Sequence, residues 1–430
     1  MTMGNSEMTP ADFISRYRLY EGASPQAFEE GDCAVSMATD AAIIKPRGKA
    51  PIRLAFGKMA RWVAADYAVR FVLQGGDRVE IGAVGRRYEE LVLALKQMQR
   101  QHKLQALLLE ETLSSGDWET GAYMRRSSTG QDLDRDECSI RIMRSSLAVL
   151  PDNEPPFVVP YGEVDGFSFE SDIHGSVLSL GLQGKIALVR FARRTEAVHR
   201  EIGEGLAALE ARQAKLFQDM VPDLGAFALR RLGQVLRDGV AVHRRFVEEA
   251  APGAWDAIWR HAMLDPARRA CAEDLRERAG DLYLAIKELG HIRRASPTGG
   301  GAAADSLPDD DSPAEEAGAT HQFLYFFTVG AALVLEVPSM TGSATYVFRA
   351  GDNVLRRATD ISRALAAMQF RREPIYLPES SLLEGPGRRY LEAVRTLGYL
   401  REVRAAFVGR AVHTSAIAWR ASLDEALSRL

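Results

Sequence analysis

GDCAVSMATDAAIIKP at residues 31–46 and DECSIRIMRSSLAVLP at residues 136–151 read as two versions of one segment. Laid side by side without a gap, Cys33 falls on Cys138, Val35 on Ile140, Met37 on Ile142 and Pro46 on Pro151. The match continues through Pro51 and Pro156, Leu54 and Val159, Phe56 and Tyr161, and Gly57 and Gly162. After a shift of two residues, VGRRYEELVLALKQM (84–98) lies on FARRTEAVHREIGEG (191–205). Apolar positions, turn residues and an Arg-Arg pair agree together, so an internal repeat is the first reading.

Within each copy, apolar residues alternate as they do in half-buried strands, with Pro, Gly and Asn between the runs. Gly75-Gly76 and Gln183-Gly184 are hairpin signals. Each copy closes on one amphipathic helix, with Tyr88, Leu91, Leu95 and Met98 on the first stripe and Val198, Ile202, Leu206 and Leu209 on the second. Six or seven short strands followed by one helix imply a small, strongly bent sheet covered at one end. That order resembles the pleckstrin-homology (PH)-like fold in tandem, over roughly residues 28–110 and 133–215. Neither closing helix carries the tryptophan that many PH domains have there; Leu or Ile fills the slot.

The second half turns helical after Pro222. LGAFALRRLGQVLRDG, AVHRRFVEEA and PGAWDAIWRHAML show three-four spacing, and Trp255 and Trp259 share one helix face, as core aromatics do. DLYLAIKELGHI (281–292) suits either a helix or a strand. Residues 295–320 are poor in large apolar side chains and read as a disordered loop, with Asp309 to Asp311 as solvated charge. Beyond it, HQFLYFFTVG, ALVLEVPS and SATYVFRA read as three strands. A helix follows, with Val354, Leu355, Ala358, Ile361, Leu365 and Met368 on one stripe. With 281–292 as a strand, this becomes a four-stranded sheet plus helix, a divergent third copy of the unit. FRREPIYLPES reads as an extended connector and 387–427 as helix.

The expected class is α+β: two tandem PH-like bent sheets, each closed by a helix, then a helical module and a sheet-helix module. The boundaries are an N-terminal segment at 1–27, repeats at 28–115 and 131–220, a helical module at 222–280, a β-α module at 281–380 and C-terminal helices at 381–430. With 46% apolar and 26% charged residues, the chain has the composition of a soluble globular protein. A net charge of −4 argues against a dedicated nucleic-acid binder. The apolar run FLYFFTVGAALVLEV (323–337) is too short to span a bilayer and is divided by Gly330, so it reads as two buried strands. Three cysteines without metal-ligand spacing fit a reducing cytoplasm, and 46 arginines against eight lysines point to a GC-rich bacterial genome.

No Walker loop, GxGxxG, HExxH, paired CxxC or GxSxG is present, and the eight histidines are scattered. No catalytic residue, cofactor or metal is nominated. Cys33 and Cys138 sit at equivalent strand positions and read as small buried hydrophobes in two copies of one core. The candidate binding residues are Lys45, Arg47, Lys49 and Arg53, on a hairpin of the first copy whose counterpart, PDNEPP, is acidic. The resemblance to PH-like domains places this hairpin between the first two strands, where such domains hold phosphoinositide head groups. A second basic surface is expected from Arg371, Arg372, Arg388, Arg389, Arg395 and Arg404. The leading expectation is a non-catalytic protein-interaction or scaffold protein with a protein or peptide partner. The alternatives are attachment to an anionic membrane surface through the basic hairpin, peripheral to the inner membrane, and an enzyme with a site assembled between domains.

Overall fold

FISRYRLY alternates buried and exposed side chains from Phe13 onward, and it forms the central strand of the first sheet. The computed structural model describes residues 12–38, 40–108, 119–127, 132–143, 145–172, 175–182, 185–191, 195–263, 265–289, 321–338, 344–383 and 387–430. The first sheet contains β1 (Phe13–Tyr20), β2 (Glu29–Ala38), β3 (Ala41–Pro46), β4 (Ile52–Ala55), β5 (Met59–Ala65), β6 (Ala68–Leu73) and β7 (Arg78–Gly82). It is antiparallel, in the order β4-β3-β2-β1-β7-β6-β5. Helix α1 (Tyr88–Ala106) packs Leu91 and Leu95 on Val35, Ile44, Phe71 and Ile81.

The second sheet contains β8 (Glu119–Ser127), β9 (Asp132–Ile142), β10 (Ser146–Pro151), β11 (Phe157–Pro160), β12 (Val164–Asp172), β13 (Gly175–Leu182) and β14 (Lys185–Phe191). Its order, β11-β10-β9-β8-β14-β13-β12, has the same pattern as the first. The registers agree as well: Cys33 faces Pro46 across β2-β3, and Cys138 faces Pro151 across β9-β10. Helix α2 (Thr195–Met220) closes this sheet with Val198, Ile202 and Leu209 against Ile140, Leu178 and Leu180. Gly205 stands inside α2, at a cost of about 1 kcal/mol relative to alanine. A Cβ there would come within 2.7 Å of the Tyr161 ring, which lies on the helix.

These sheets correct two expectations. Strands β1 and β8 lie N-terminal to the expected boundaries at residues 28 and 131, ahead of the strands that carry Cys33 and Cys138. The basic hairpin is therefore the β3-β4 turn and not the turn between the first two strands.

The rest of the chain forms three layers. One layer holds α3 (Ala226–Val235), α4 (Arg244–Ala250), α5 (Ala254–Ala262), α6 (Pro266–Arg278) and, from the C-terminus, α12 (Ala416–Leu427). The middle layer is an antiparallel sheet, β15 (Val242–His243), β16 (Leu282–Glu288), β17 (His321–Val329), β18 (Ala332–Glu336), β19 (Ala344–Arg349) and β20 (Phe407–Val412), in consecutive order. The other layer is α7 (Val354–Ala367), α8 (Glu373–Tyr376), α9 (Glu379–Leu382), α10 (Arg388–Thr396) and α11 (Gly398–Ala406). Alternate side chains of the sheet feed the two sides. Leu324, Phe326, Leu333 and Leu335 pack with Ile361, Leu365, Leu391 and Leu400. Tyr325, Phe327, Val334 and Val347 pack with Trp255, Trp259, Leu275 and Trp419.

Burial on both faces explains why 323–337 is a nearly continuous apolar run. It forms β17 and β18, with Gly330 at φ +59° in their turn. Trp255 and Trp259 are core residues, packed edge-on against Tyr325 at 5.9 and 4.7 Å. The 281–292 stretch supplies strand β16 at Leu282–Glu288. The sheet has six strands, and its consecutive order differs from that of the first two sheets, so it does not match them as a third copy. Two short helices replace the extended connector, and β20 interrupts the expected C-terminal helices. The 295–320 segment and the Gln183-Gly184 turn lie outside the described residues.

Candidate functional site

Around the β3-β4 turn, three of the four cations meet carboxylates of their own sheet or its N-terminal flank. Lys45 Nζ lies 3.1 Å from Asp12, Lys49 Nζ 3.2 Å from Glu29, and Arg53 Nη2 2.5 Å from Asp40. The Tyr17 hydroxyl, donating to Glu29 at 2.6 Å, and then Lys49 hold the Glu29 carboxyl below its ordinary pKa. These pairs are solvent-exposed and hence exchangeable. Arg47 is exposed, and among the described residues no carboxylate pairs with it.

The C-terminal arginines do not form one surface. Arg372 is 2% exposed, with its guanidinium 5.9 Å from the Tyr346 ring, which places it in the core and corrects its assignment to the surface. Arg404 turns inward to donate to the carbonyls of Pro374 and Leu377, the latter at 2.9 Å, and burial lowers its pKa. Arg395 pairs with Glu379 at 3.1 Å and Arg371 with Glu373 at 3.7 Å. Arg388 and Arg389 remain exposed, with Arg389 4.6 Å from the Tyr390 ring and donating to its hydroxyl.

One wide concavity was not visible in the sequence. A cleft of about 2320 Å³ opens between β11 with its following turn, helices α2 and α3, the β15-α4 corner and the start of α7. Phe246 and Leu355 line it at 43% and 44% exposure. Ion pairs bridge its walls: Arg363 Nε donates to Glu163 at 2.9 Å, and Arg237 Nη1 to Asp165 at 2.5 Å. Burial raises the pKa of Asp360, against the pull of Arg363 and Arg356. His243 has both ring nitrogens engaged. Nδ1 accepts from the Arg245 N–H at 3.0 Å, which leaves Nε2 as the donor to Asp281 at 3.1 Å.

This cleft exists because the second sheet approaches the three-layer unit closely. A Cβ on Gly162 would lie 2.8 Å from the Asp238 carbonyl carbon and 3.1 Å from its Cα. Asp238, 2% exposed, is held by Lys287 and by the Glu288 N–H at 2.6 Å. The outer face of β10 joins the same contact, with Ala148 and Leu150 in the core of the α7-α11 layer.

A second group, also illegible in sequence, lies in the core at the ends of β18, β19 and β20. Thr345 Oγ1 donates to Glu336 at 2.6 Å and accepts from Trp419 Nε1 at 2.8 Å. His413 Nε2 stands 3.0 Å from Glu336, and its ring stacks on Trp419. Glu336 and Thr345 are fully buried, so this group ties β20 and α12 to the sheet. Its one local clue is an acidic residue ending the apolar run ALVLE. Cys33, Cys138 and Cys271 are buried and free, and burial pushes the Cys138 thiol up to about 12. Among the described residues no group of His, Cys, Asp and Glu is placed to hold a metal, and no helix is long and apolar enough to cross a membrane.

No protein-family profile matches the chain, and no curated protein matches it. Among solved structures, it is similar to a chain from the structure of the Spt16D Pob3N heterodimer. The match has 18% identity over 39% of this chain and 82% of that one, at a TM-score of 0.14, a superposition too loose to carry an argument.

Proposed function

We propose that this chain is a non-catalytic interaction protein, built on two PH-like units in tandem, whose docking site is the cleft between the second unit and the three-layer unit. The shared strand order, the shared Cys-Pro register and the closing helices support the tandem reading. The observation that carries the function is the size and lining of the cleft. Small-molecule pockets enclose about 300–1,000 Å³. A cleft of about 2320 Å³ with half-exposed Phe246 and Leu355 has room for a polypeptide segment, and those side chains supply its apolar anchors. The membrane reading rests on the cations of the β3-β4 turn alone, three of which stand in exposed, exchangeable pairs with carboxylates.

A photo-crosslinking residue in place of Leu355, in the full chain in its native cells, tests this proposal. A discrete polypeptide adduct that disappears with Phe246→Glu is expected. Absence of any polypeptide adduct, with a small metabolite co-purifying in native mass spectrometry, would overturn the interaction reading.

A further inference from the structure

The same turn is used differently in the two seven-stranded sheets. Arg47 donates its backbone N–H to Asp32 O at 3.1 Å, and Asp152 donates its own to Glu137 O at 2.8 Å. Each is the residue after the proline that faces the sheet's cysteine, so Arg47 and Asp152 occupy one structural position. In the second sheet that position is covered by helix α1. Lys103 Nζ donates to the carbonyls of Pro151 and Asp152, the latter at 3.0 Å, and Gln99 donates to Asp152 O at 3.2 Å. Arg100 reaches Ser139 on the neighbouring strand at 2.8 Å, and Lys96 and Lys103 are the cations facing the Asp152 carboxylate. The docking element is thus a helix with basic residues at 96, 100 and 103, four and three apart on one face.

In the first sheet the turn at 47–51 is exposed throughout, and its charge is inverted. Arg47 replaces Asp152 and Lys49 replaces Glu154 at the aligned positions. We infer that the β3-β4 turn is a docking surface for an acidic helix of a partner protein, lying over the turn as α1 lies over the β10-β11 turn, with carboxylates four and three residues apart that accept from the Arg47 and Lys49 side chains in place of the donation to backbone carbonyls made by Lys103 and Gln99. Arg47 has no carboxylate partner among the described residues to displace. Lys49 exchanges an exposed pair with Glu29 for one with the partner, at little cost. The chain's net charge of −4 opposes non-specific capture of an acidic peptide, so the attraction is local to the turn. No residue of this turn lines the cleft, so the two surfaces stand or fall separately.

The probe is a peptide of residues 88–106, stapled between positions 91 and 95 and carrying Lys96→Glu, Arg100→Glu and Lys103→Glu. It is titrated by fluorescence anisotropy against the full chain, beside the same stapled peptide with native charges. The acidic peptide should bind more tightly by roughly tenfold at low salt. An Arg47→Glu, Lys49→Glu chain, which takes the signs of the second turn, should reverse that preference. Both residues are exposed, and an unchanged unfolding midpoint verifies that the variant is folded. An unchanged preference in the variant, or no binding by the acidic peptide, overturns the proposal. Binding to phosphatidylserine vesicles that is lost in the variant, without any peptide preference, assigns the turn to a membrane instead and also overturns it.

Discussion

Gly57 and Gly162 occupy the same place in their two sheets, each in the short 3-10 turn before the fifth strand of its sheet, yet alanine should affect them very differently. At Gly162 the new Cβ meets backbone, 2.8 Å from the Asp238 carbonyl carbon. Asp238 has no room to retreat: Lys287 and the Glu288 N–H hold its side chain, and the Gly239 N–H bonds Ile286 O at 2.7 Å. Relief therefore requires the second sheet to lift from the three-layer unit. A gap of 0.5–1 Å forfeits roughly a quarter to a half of each contact's attraction. It would also stretch the Arg363–Glu163 and Arg237–Asp165 bonds and the packing of Ala148 and Leu150. The cost belongs at the top of the overpacking range, about 3 kcal/mol. For a cooperative block of about 200 residues, that lowers the melting midpoint by roughly 6–12 °C. At Gly57 the nearest atoms are Glu392 Oε2 at 3.6 Å and His102 Nε2 at 3.7 Å, which is ordinary contact. Gly57→Ala should stay within about 0.5 kcal/mol of the parent. Thermal melts of both variants, with hydrogen exchange of the Gly239 amide, make the comparison. A Gly162→Ala protein melting within a degree of the parent, or equal losses at both glycines, would refute the reasoning.

Two further outcomes follow from buried polar groups. Burial lowers the Lys103 ammonium from 10.5 to about 8 in the folded chain. Below pH 8 the amine is protonated in both states; between 8 and 10.5 the unfolded chain holds the extra proton, so stability rises with pH there. Relative to Lys103→Met, the parent should gain up to about 3 kcal/mol across that window, read from urea midpoints at each pH; a constant gap would contradict this. Thr345→Val keeps the shape of the side chain but deprives Glu336 of a donor and Trp419 Nε1 of an acceptor. It should cost about 3 kcal/mol, with Thr345→Ser recovering most of the loss; a valine variant as stable as the parent would show the group to be dispensable.

What the sequence revealed of the fold follows from which forces leave a local periodic trace. Half-buried strands alternate, so the seven-stranded sheets were legible, and FISRYRLY carries the same signal. Its counterpart, ETGAYMRRS, shares only a buried tyrosine with it, Tyr17 and Tyr123 facing the aligned Gly31 and Asp136, which is too little to extend the repeat toward the N-terminus. The six-stranded sheet is buried on both faces, which erases alternation and leaves only an apolar run. Strand β20, six residues between helices, is fixed by pairing with β19 and by α12, neither of which its own sequence records. The cleft was illegible for a stronger reason. Its walls come from five separated stretches between Phe157 and Arg363, and no spacing rule connects them. The cations of the β3-β4 turn were visible, but Asp12, Glu29 and Asp40, which neutralise three of them, are neighbours only after folding.

The paired positions also separate what belongs to the fold from what belongs to its contacts. The proline, the buried cysteine it faces and the backbone bond from residue 47 or 152 recur in both sheets because the strand register and core are the same in both. The side chains at those positions differ where the surroundings differ. Strand β10 is buried along its whole length because its outer face meets the α7-α11 layer, whereas β3 leaves Lys45 in solvent. Asp152 has Lys96 and Lys103 before it, so its charge is accounted for within the chain. Arg47, at the same position, faces no such pair. Arg47 is exposed, and it is this charge that the proposed acidic helix would meet. In the second sheet the turn binds α1 mainly through its backbone carbonyls, so the sign of the side chains at 47 and 49 is free to differ.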